Sequence, residues 1–226
     1  MTGGTALRDR LGEVRAGIAD AARDAGRDVA QISLIVVTKF HSAALVRELH
    51  ALDVSDFGEN RHQEAQAKAA ELADLDLTWH FIGQLQSKKA RQVRAYARVI
   101  HSLDRESVVD ALASGESSVD CFVQLNLSDD PGRGGVQDAH LEALTERVLA
   151  TSGLRLLGVM AVAPIDEEPR AAFARVRLAS ERVRRLAPDA RYISAGMSGD
   201  YREAILEGAT HLRIGSAITG NRPTAG

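Results

Sequence analysis

A single cysteine, Cys121, occurs in the 226 residues, so no internal disulfide can form. Its place within Val119-Asp120-Cys121-Phe122-Val123 reads as a small core side chain in a reducing compartment. Long apolar runs are also missing. No segment approaches the roughly 20 uninterrupted apolar residues of a membrane span, and Met1 to Arg10 holds no apolar stretch of the kind a secretory signal needs. The expectation is a cytoplasmic protein without membrane contact. A basic excess is lacking as well: the formal charge is −3, where a nucleic-acid surface wants a clear positive surplus. Lys88, Lys89, Arg91, Arg94 and Arg98 do gather in one segment, but no aromatic apart from Tyr96 is interleaved, and a solvated helix face is expected. His80, His101 and His211 form no short metal motif such as H-E-x-x-H and read as core or mouth-lining residues. Lysine itself is scarce, four against 24 arginines, so each can be weighed individually.

Hydrophobic residues make up 45% of the chain, enough for a sizeable core, and the length suits one (β/α)8 barrel of roughly 250 residues. Leu7, Leu11, Val14, Ile18 and Ala22 recur at helical spacing and predict a helix over 5–25, with Gly26 just past its end. Eight short apolar runs follow: Ile32–Thr38, Val54–Phe57, Thr78–Ile82, Arg98–His101, Val119–Asn126, Leu154–Met160, Arg191–Ser194 and His211–Ile214. Helical patterns separate them, near Ala43–Ala51, Arg61–Leu72, Ser87–Tyr96, Glu106–Ala113, Ala139–Ala150, Glu168–Leu186 and Tyr201–Leu206. Runs without alternation, such as Leu34-Ile35-Val36-Val37, suit parallel strands covered on both faces. Alternating β and α units imply right-handed parallel crossovers. Closed on themselves they make a barrel; an open doubly wound sheet is the alternative, and no G-x-G-x-x-G follows the first strand to support it. No Pro/Gly/Ser-rich linker interrupts the chain. One domain is therefore expected over residues 1–226, with 1–28 a helical extension in front of the barrel. Ser128–Gly135 reads as a polar loop after strand five, within which Gly132–Gly135 could contact an anion but is expected to be a flexible βα loop.

Three features bear on chemistry. Lys39 follows five apolar or β-branched residues at the C-terminal end of the first strand, the end at which such barrels place their active sites. Partial desolvation is expected there, favouring the neutral amine that attacks a carbonyl. By contrast Lys68, on an amphipathic helix, and Lys88 and Lys89, opening another, look ordinary. The other two features are loops. Ser194-Ala195-Gly196-Met197-Ser198-Gly199-Asp200 follows strand seven, and Arg213-Ile214-Gly215-Ser216-Ala217-Ile218 follows strand eight. Their glycines admit close backbone approach, their serines can donate, and this fold commonly binds phosphate after strands seven and eight. A carbonyl-reactive amine beside a phosphate cradle suggests either pyridoxal phosphate or a sugar phosphate handled by a lysine-dependent aldolase.

Val36-Val37-Thr38-Lys39, Phe57-Gly58-Glu59-Asn60, Trp79-His80-Phe81-Ile82-Gly83-Gln84-Leu85-Gln86-Ser87, Gly196-Met197-Ser198 and Arg213-Ile214-Gly215-Ser216 together resemble the pyridoxal phosphate homeostasis proteins, which share the fold-type III barrel of the alanine racemase N-terminal domain. The stretches run from the first strand to the last, and their order and spacing make the match specific. The resemblance implies pyridoxal 5′-phosphate held as an aldimine on Lys39, Asn60 by the ring, Ser198, Gly215 and Ser216 on the phosphate, and Arg213 facing the pyridine nitrogen. It departs from the family's usual wording at Ser42, Lys88, Ala195, Ser216 and Thr219. None of these removes an implied contact, although Lys88 stands where an amide is common.

An arginine at the ring nitrogen opposes its protonation and makes a poor electron sink. Racemases of related fold tolerate one, but add a second domain that brings a tyrosine acid/base, and the barrel leaves nothing here to build it. Tyr96, Tyr192 and Tyr201 read as packing residues. The resemblance therefore implies a non-catalytic binder that holds the cofactor or delivers it to dependent apoenzymes, and a monomer is expected. A weak amino-acid racemase is the alternative.

Overall fold

The computed structural model describes residues 2–128, 130 and 132–220. Asp129 and Pro131 of the polar loop, and residues 1 and 221–226 of the expected domain, lie outside the described residues. Helix α1 (Thr2–Asp24) comes first, then β1 (Ser33–Val37), α2 (Ala43–His50), β2 (Asp56–Glu59), α3 (His62–Glu71), β3 (Thr78–Phe81), α4 (Ala90–Arg94) and β4 (Val99–Leu103). The second half runs α5 (Glu106–Ala111), β5 (Val119–Gln124), α6 (Leu141–Leu149), β6 (Leu154–Met160), α7 (Pro169–Leu186), β7 (Tyr192–Ser194), α8 (Tyr201–Leu206), β8 (His211–Ile214) and α9 (Ser216–Thr219). All eight strands are parallel and pair in sequence order, and β8 closes the barrel on β1 in the register Ser33 to His211 through Val36 to Ile214.

Strand alternation divides each strand between two environments. Trp79, Phe81, Ile100, Cys121, Val123, Ile193 and Leu212 face outward into one large apolar cluster beneath the helices. Each such fully buried aliphatic or aromatic side chain contributes about 1.5–3 kcal/mol of transfer free energy. Their inward neighbours are different: His80, His101, Phe122, Ser194 and Arg213 occupy the lumen.

Helix α1 completes the outer ring. The helix after β8, α9, has only four residues, and α1 packs against both α8 and α9 in its place. Leu7, Leu11, Val14, Ile18, Ala21 and Ala22 form its buried face. Arg10 Nε donates to Ile218 O at 2.7 Å, and Arg27 Nη1 to Ala209 O at 2.7 Å. The approach to α8 needs a glycine: a Cβ at Gly17 would stand 2.2 Å from Tyr201 Oη. At the end of α1, Gly26 takes φ +63, while Arg27 N bonds Ala22 O and Gly26 N bonds Arg23 O, the paired bonds of a Schellman stop. The N-terminal extension is thus part of the barrel's cover.

Two local expectations shift. β2 occupies Asp56–Glu59, two residues later than the apolar run Val54–Phe57, because the charged ends of the strand find partners inside the fold. The Gly132–Gly135 stretch is tied down rather than free. Gln124 Nε2 donates to Gly134 O at 2.9 Å, and Asn126 Nδ2 to Arg133 O at 3.1 Å.

Candidate functional site

The six expected site residues lie on β7, β8, β1 and β2 or just beyond them, an unbroken arc of four neighbouring strands. Lys39 stands two residues past β1. Its turn is held from behind. Thr38 O accepts from Lys68 Nζ at 2.7 Å and from His41 N at 3.1 Å. Phe40 takes φ +68, a left-handed conformation uncommon for an aromatic residue, and its N–H donates to Glu64 Oε2 at 3.1 Å. Helix α3 therefore grips the turn on both sides of Lys39. The Lys39 side chain itself is exposed, with Nζ 6.0 Å from the centroid of Phe40. The expected desolvation is corrected on this point: strand β1 delivers the residue beyond the packed lumen, where water reaches it.

Lys68 is the residue that sequence reasoning misjudged. It is buried, with Nζ 2.6 Å from Glu59 Oε1, which also accepts from Thr38 Oγ1 at 2.7 Å. Burial pushes the Glu59 carboxyl above the usual range despite the Lys68 ammonium, and Glu59 Oε2 is buried without a partner among the described residues. A carboxylate inside Phe57-Gly58-Glu59, followed nine residues later by a helical lysine, was the available signal.

Asn60 follows β2 directly. Its Oδ1 is buried and has no hydrogen-bond partner among the described residues, and its backbone carries Gly83 so closely that a Cβ there would lie 2.0 Å from Asn60 O. A cavity of about 390 Å³ opens beside it, lined by Asn60, His62, Phe81, Gln84 and Leu85 among others.

The two expected phosphate loops converge. Ser198 Oγ accepts from Ala217 N and from Ser216 Oγ, each at 3.3 Å. Gly215 packs on β1, where an added Cβ would lie 3.4 Å from Val37 Cβ, two residues before Lys39. Gly196 takes φ +93 with Ala204 and Leu212 crowding the position a Cβ would take, which explains the glycine opening the β7 turn. Ser198 keeps its hydroxyl proton free of both bonds, so it can donate to an anion placed over the two turns.

Arg213 projects into the lumen of the barrel. Nη1 donates to Ser194 Oγ at 2.6 Å and Nη2 to Ala161 O at 2.8 Å. Burial pushes its pKa down to about 10, which leaves it cationic at neutral pH. Below it lies a polar series that sequence reasoning left as separate core histidines. Ser194 Oγ is 2.8 Å from His101 Nδ1, His101 Nε2 is 2.9 Å from His80 Nδ1, and His80 Nε2 is 2.9 Å from Asp56 Oδ1. Burial, with His80 and Arg213 adding to it, holds His101 well below the usual histidine range, and burial holds His211 down at about 4. Of the tyrosines, Tyr201 Oη abuts Gly17, Tyr96 stacks on His62 and Tyr192 packs edge-on to His211. Lys88 is exposed in a one-turn helix, Ser87–Lys89.

The arrangement offers an amine, two convergent hydroxyl-bearing turns and a buried cation along one arc. It suits a ligand with a carbonyl at one end and an anionic tail. Asn60 Oδ1, without a partner among the described residues, adds an acceptor at the β2 end of the arc.

Comparison with known proteins places the chain in context. The family described as alanine racemase, N-terminal domain, matches residues 10–223. The chain is 41% identical over 224 residues, 96% of each chain, to the pyridoxal phosphate homeostasis protein of Pseudomonas aeruginosa. It is similar to PipY of Synechococcus elongatus PCC7942, whose structure was solved with PLP bound, at 35% identity and a TM-score of 0.83, covering 95% of this chain and 100% of that one. Alanine racemase of Corynebacterium glutamicum shares the fold at a TM-score of 0.69 and 16% identity, and the match covers 97% of this chain but 62% of the racemase. Among the described residues no helix is long and apolar enough to cross a membrane.

Proposed function

The chain belongs to the pyridoxal phosphate homeostasis proteins, and from that membership we propose that it binds pyridoxal 5′-phosphate at the barrel mouth and serves cofactor homeostasis rather than turnover. The observation that carries the reading is the convergence of Ser198 and Ser216 at 3.3 Å beside Gly215, which rests on the strand that bears Lys39. Pyridoxal phosphate supplies an electrophilic aldehyde and an anionic phosphate when bound.

Lys39 offers the amine to that aldehyde. Its exposed position leaves the side chain open to an incoming ligand. Ser198 would donate its free hydroxyl proton to the phosphate, Ser216 would do so on turning its own proton away from Ser198 Oγ, and Gly215 keeps the turn low enough for the group to approach. Asn60, through the buried Oδ1, accepts from the ring substituents. Arg213, donor only and cationic, would face the ring nitrogen and would oppose its protonation. A nitrogen held in that state withdraws electrons poorly, which favours holding over carbanion chemistry. The three tyrosines pack against Gly17, His62 and His211, and the reading gives none of them an acid/base role at Lys39.

The reading includes a monomer in a reducing cytoplasm that passes the cofactor to dependent apoenzymes. Its support is the buried free thiol of Cys121 and the scatter of exposed large apolar side chains over separate elements, Val29, Leu149, Ile165 and Leu178 among them.

Borohydride reduction followed by peptide mass mapping tests the assignment. A pyridoxyl-phosphate adduct is expected on Lys39 and is expected to vanish in Lys39→Ala. An adduct on Lys68, Lys88 or Lys89 alone would refute it. Incubation with L-alanine in deuterated water tests the absence of turnover: exchange of the α-proton at a catalytic rate would replace the binder with a racemase.

A further inference from the structure

The lumen of a (β/α)8 barrel is ordinarily filled by branched aliphatic side chains. In this one, five polar side chains from five different strands join end to end: Asp56 of β2, His80 of β3, His101 of β4, Ser194 of β7 and Arg213 of β8. Buried polar groups cost free energy unless each is partnered, and every link here is between 2.6 and 2.9 Å.

The series has one direction, set by its ends. Arg213 has no acceptor, so it must donate to Ser194 Oγ. The Ser194 hydroxyl then has its own proton to place, and His101 Nδ1 takes it. That makes His101 an Nε2–H tautomer, which donates to His80 Nδ1. His80 is then also Nε2–H and donates to Asp56, which only accepts when ionised. Every donor meets an acceptor. A proton added to either ring would turn an acceptor nitrogen into a donor and break the sequence. The charged and titratable groups facing His101 are His80, Arg213 and His211, with Asp56 behind His80. The three that touch His101 are all bases, so nothing in contact with that ring favours a second proton on it.

We propose that Asp56, His80, His101 and Ser194 form a one-directional array that positions Arg213, anchoring the cation at the mouth to a carboxylate at the opposite end of the lumen. Its relevance to the cofactor rests on the reading of Arg213 as the group facing the ring nitrogen. Ser194 and the two histidines are positioning residues, since they act through Arg213. Asp56 sets their tautomers from a place where its side chain is 33% exposed.

The test uses the full chain labelled with ¹⁵N. In the protein without added ligand, the histidine side-chain shifts of His80 and His101 are expected to show neutral rings protonated at Nε2. Asp56→Asn replaces an obligate acceptor with a group that can also donate, and His80 is expected to lose its single tautomer. Ser194→Ala removes the link to Arg213. Titration with pyridoxal phosphate is expected to show about a tenfold loss of affinity for Ser194→Ala, the scale of one positioning hydrogen bond, and a smaller loss for Asp56→Asn, with the reduced adduct still on Lys39 in both. An Nδ1–H tautomer of His101 in the wild type would overturn the array. So would variants that melt earlier yet keep wild-type tautomers and affinity, the signature of a purely structural role. The wild-type spectrum is decisive without any substitution, should a variant fail to fold. Correct tautomers together with no Lys39 adduct in the wild type would tell against the cofactor assignment alone.

Discussion

Along β4, Ile100 points outward into the apolar layer beneath the helices, while its neighbour His101 points inward and bonds both His80 and Ser194. The same contrast repeats on β3 between Phe81 and His80, and on β8 between Leu212 and Arg213. The outer wall is stabilised by area removed from water and is indifferent to direction. The inner wall depends on which atom donates and which accepts. Stability and ligand geometry are thereby assigned to opposite faces of the same strands, so substitutions on one face are expected to leave the other's readout alone.

The strongest challenge to this division is Lys68, a buried charge on the outer side. Lys68→Met leaves Glu59 buried without its cation and is expected to cost about 3–5 kcal/mol in urea denaturation. The double variant Lys68→Met with Glu59→Gln should recover much of that. A single-variant cost below about 1 kcal/mol would mean that the pair is solvated in practice and that α3 does not grip the Lys39 turn through it.

Acid sharpens the comparison next. His101 and His211 have folded-state pKa values below the ordinary 6.5, through burial first and neighbouring bases second. The unfolded chain therefore binds more protons as pH falls. Their stabilising contribution is present above pH 6.5 and is lost on acidification, down to about 4 for His211. Each histidine tilts stability by up to about 1.4 kcal/mol per pH unit within its window, less for the partly exposed His211. Denaturation midpoints at pH 7, 6 and 5 should fall steadily. A flat profile would show that the lumen accepts charge, against the neutral array.

The smallest effect belongs to the outer ring. Gly17→Ala drives a methyl into Tyr201 Oη and should cost about 1–3 kcal/mol by overpacking, reduced as far as the tyrosine can swing aside. The Lys39 adduct should form at wild-type yield. A loss of adduct in this variant would show that the cover supplied by α1 and α8 does reach the mouth.

Most of the architecture was legible beforehand. Parallel strands buried on both faces show as continuous apolar runs, and β1, β5 and β6 announce themselves that way. β2 showed itself two residues early, because its last residue, Glu59, is a charge that tertiary partners neutralise. The convergent serine loops were visible because glycine and serine at two βα turns have few other uses together. The exposure of Lys39 was not visible: a strand end can finish inside or just above a packed lumen with the same residues around it. Nor was the array, whose members sit at positions 56, 80, 101, 194 and 213. No local pattern links residues so far apart. Only the closure of β8 on β1, with each of them at an inward position, makes them neighbours.

By itself the sequence determined the βα alternation, the amphipathic first helix, the loops after strands seven and eight and the amine at the end of strand one. All are set by the period of apolar residues and by the conformational range of glycine, which act over a few residues. Tertiary structure alone decided that α1 supplies the cover that the four-residue α9 is too short to give, that Lys68 is buried while Lys39 meets water, and that three strand histidines become one hydrogen-bonded series and its neighbour. Burial and donor direction are properties of what surrounds an atom, and here the surroundings come from strands that the chain brings together only when the barrel closes.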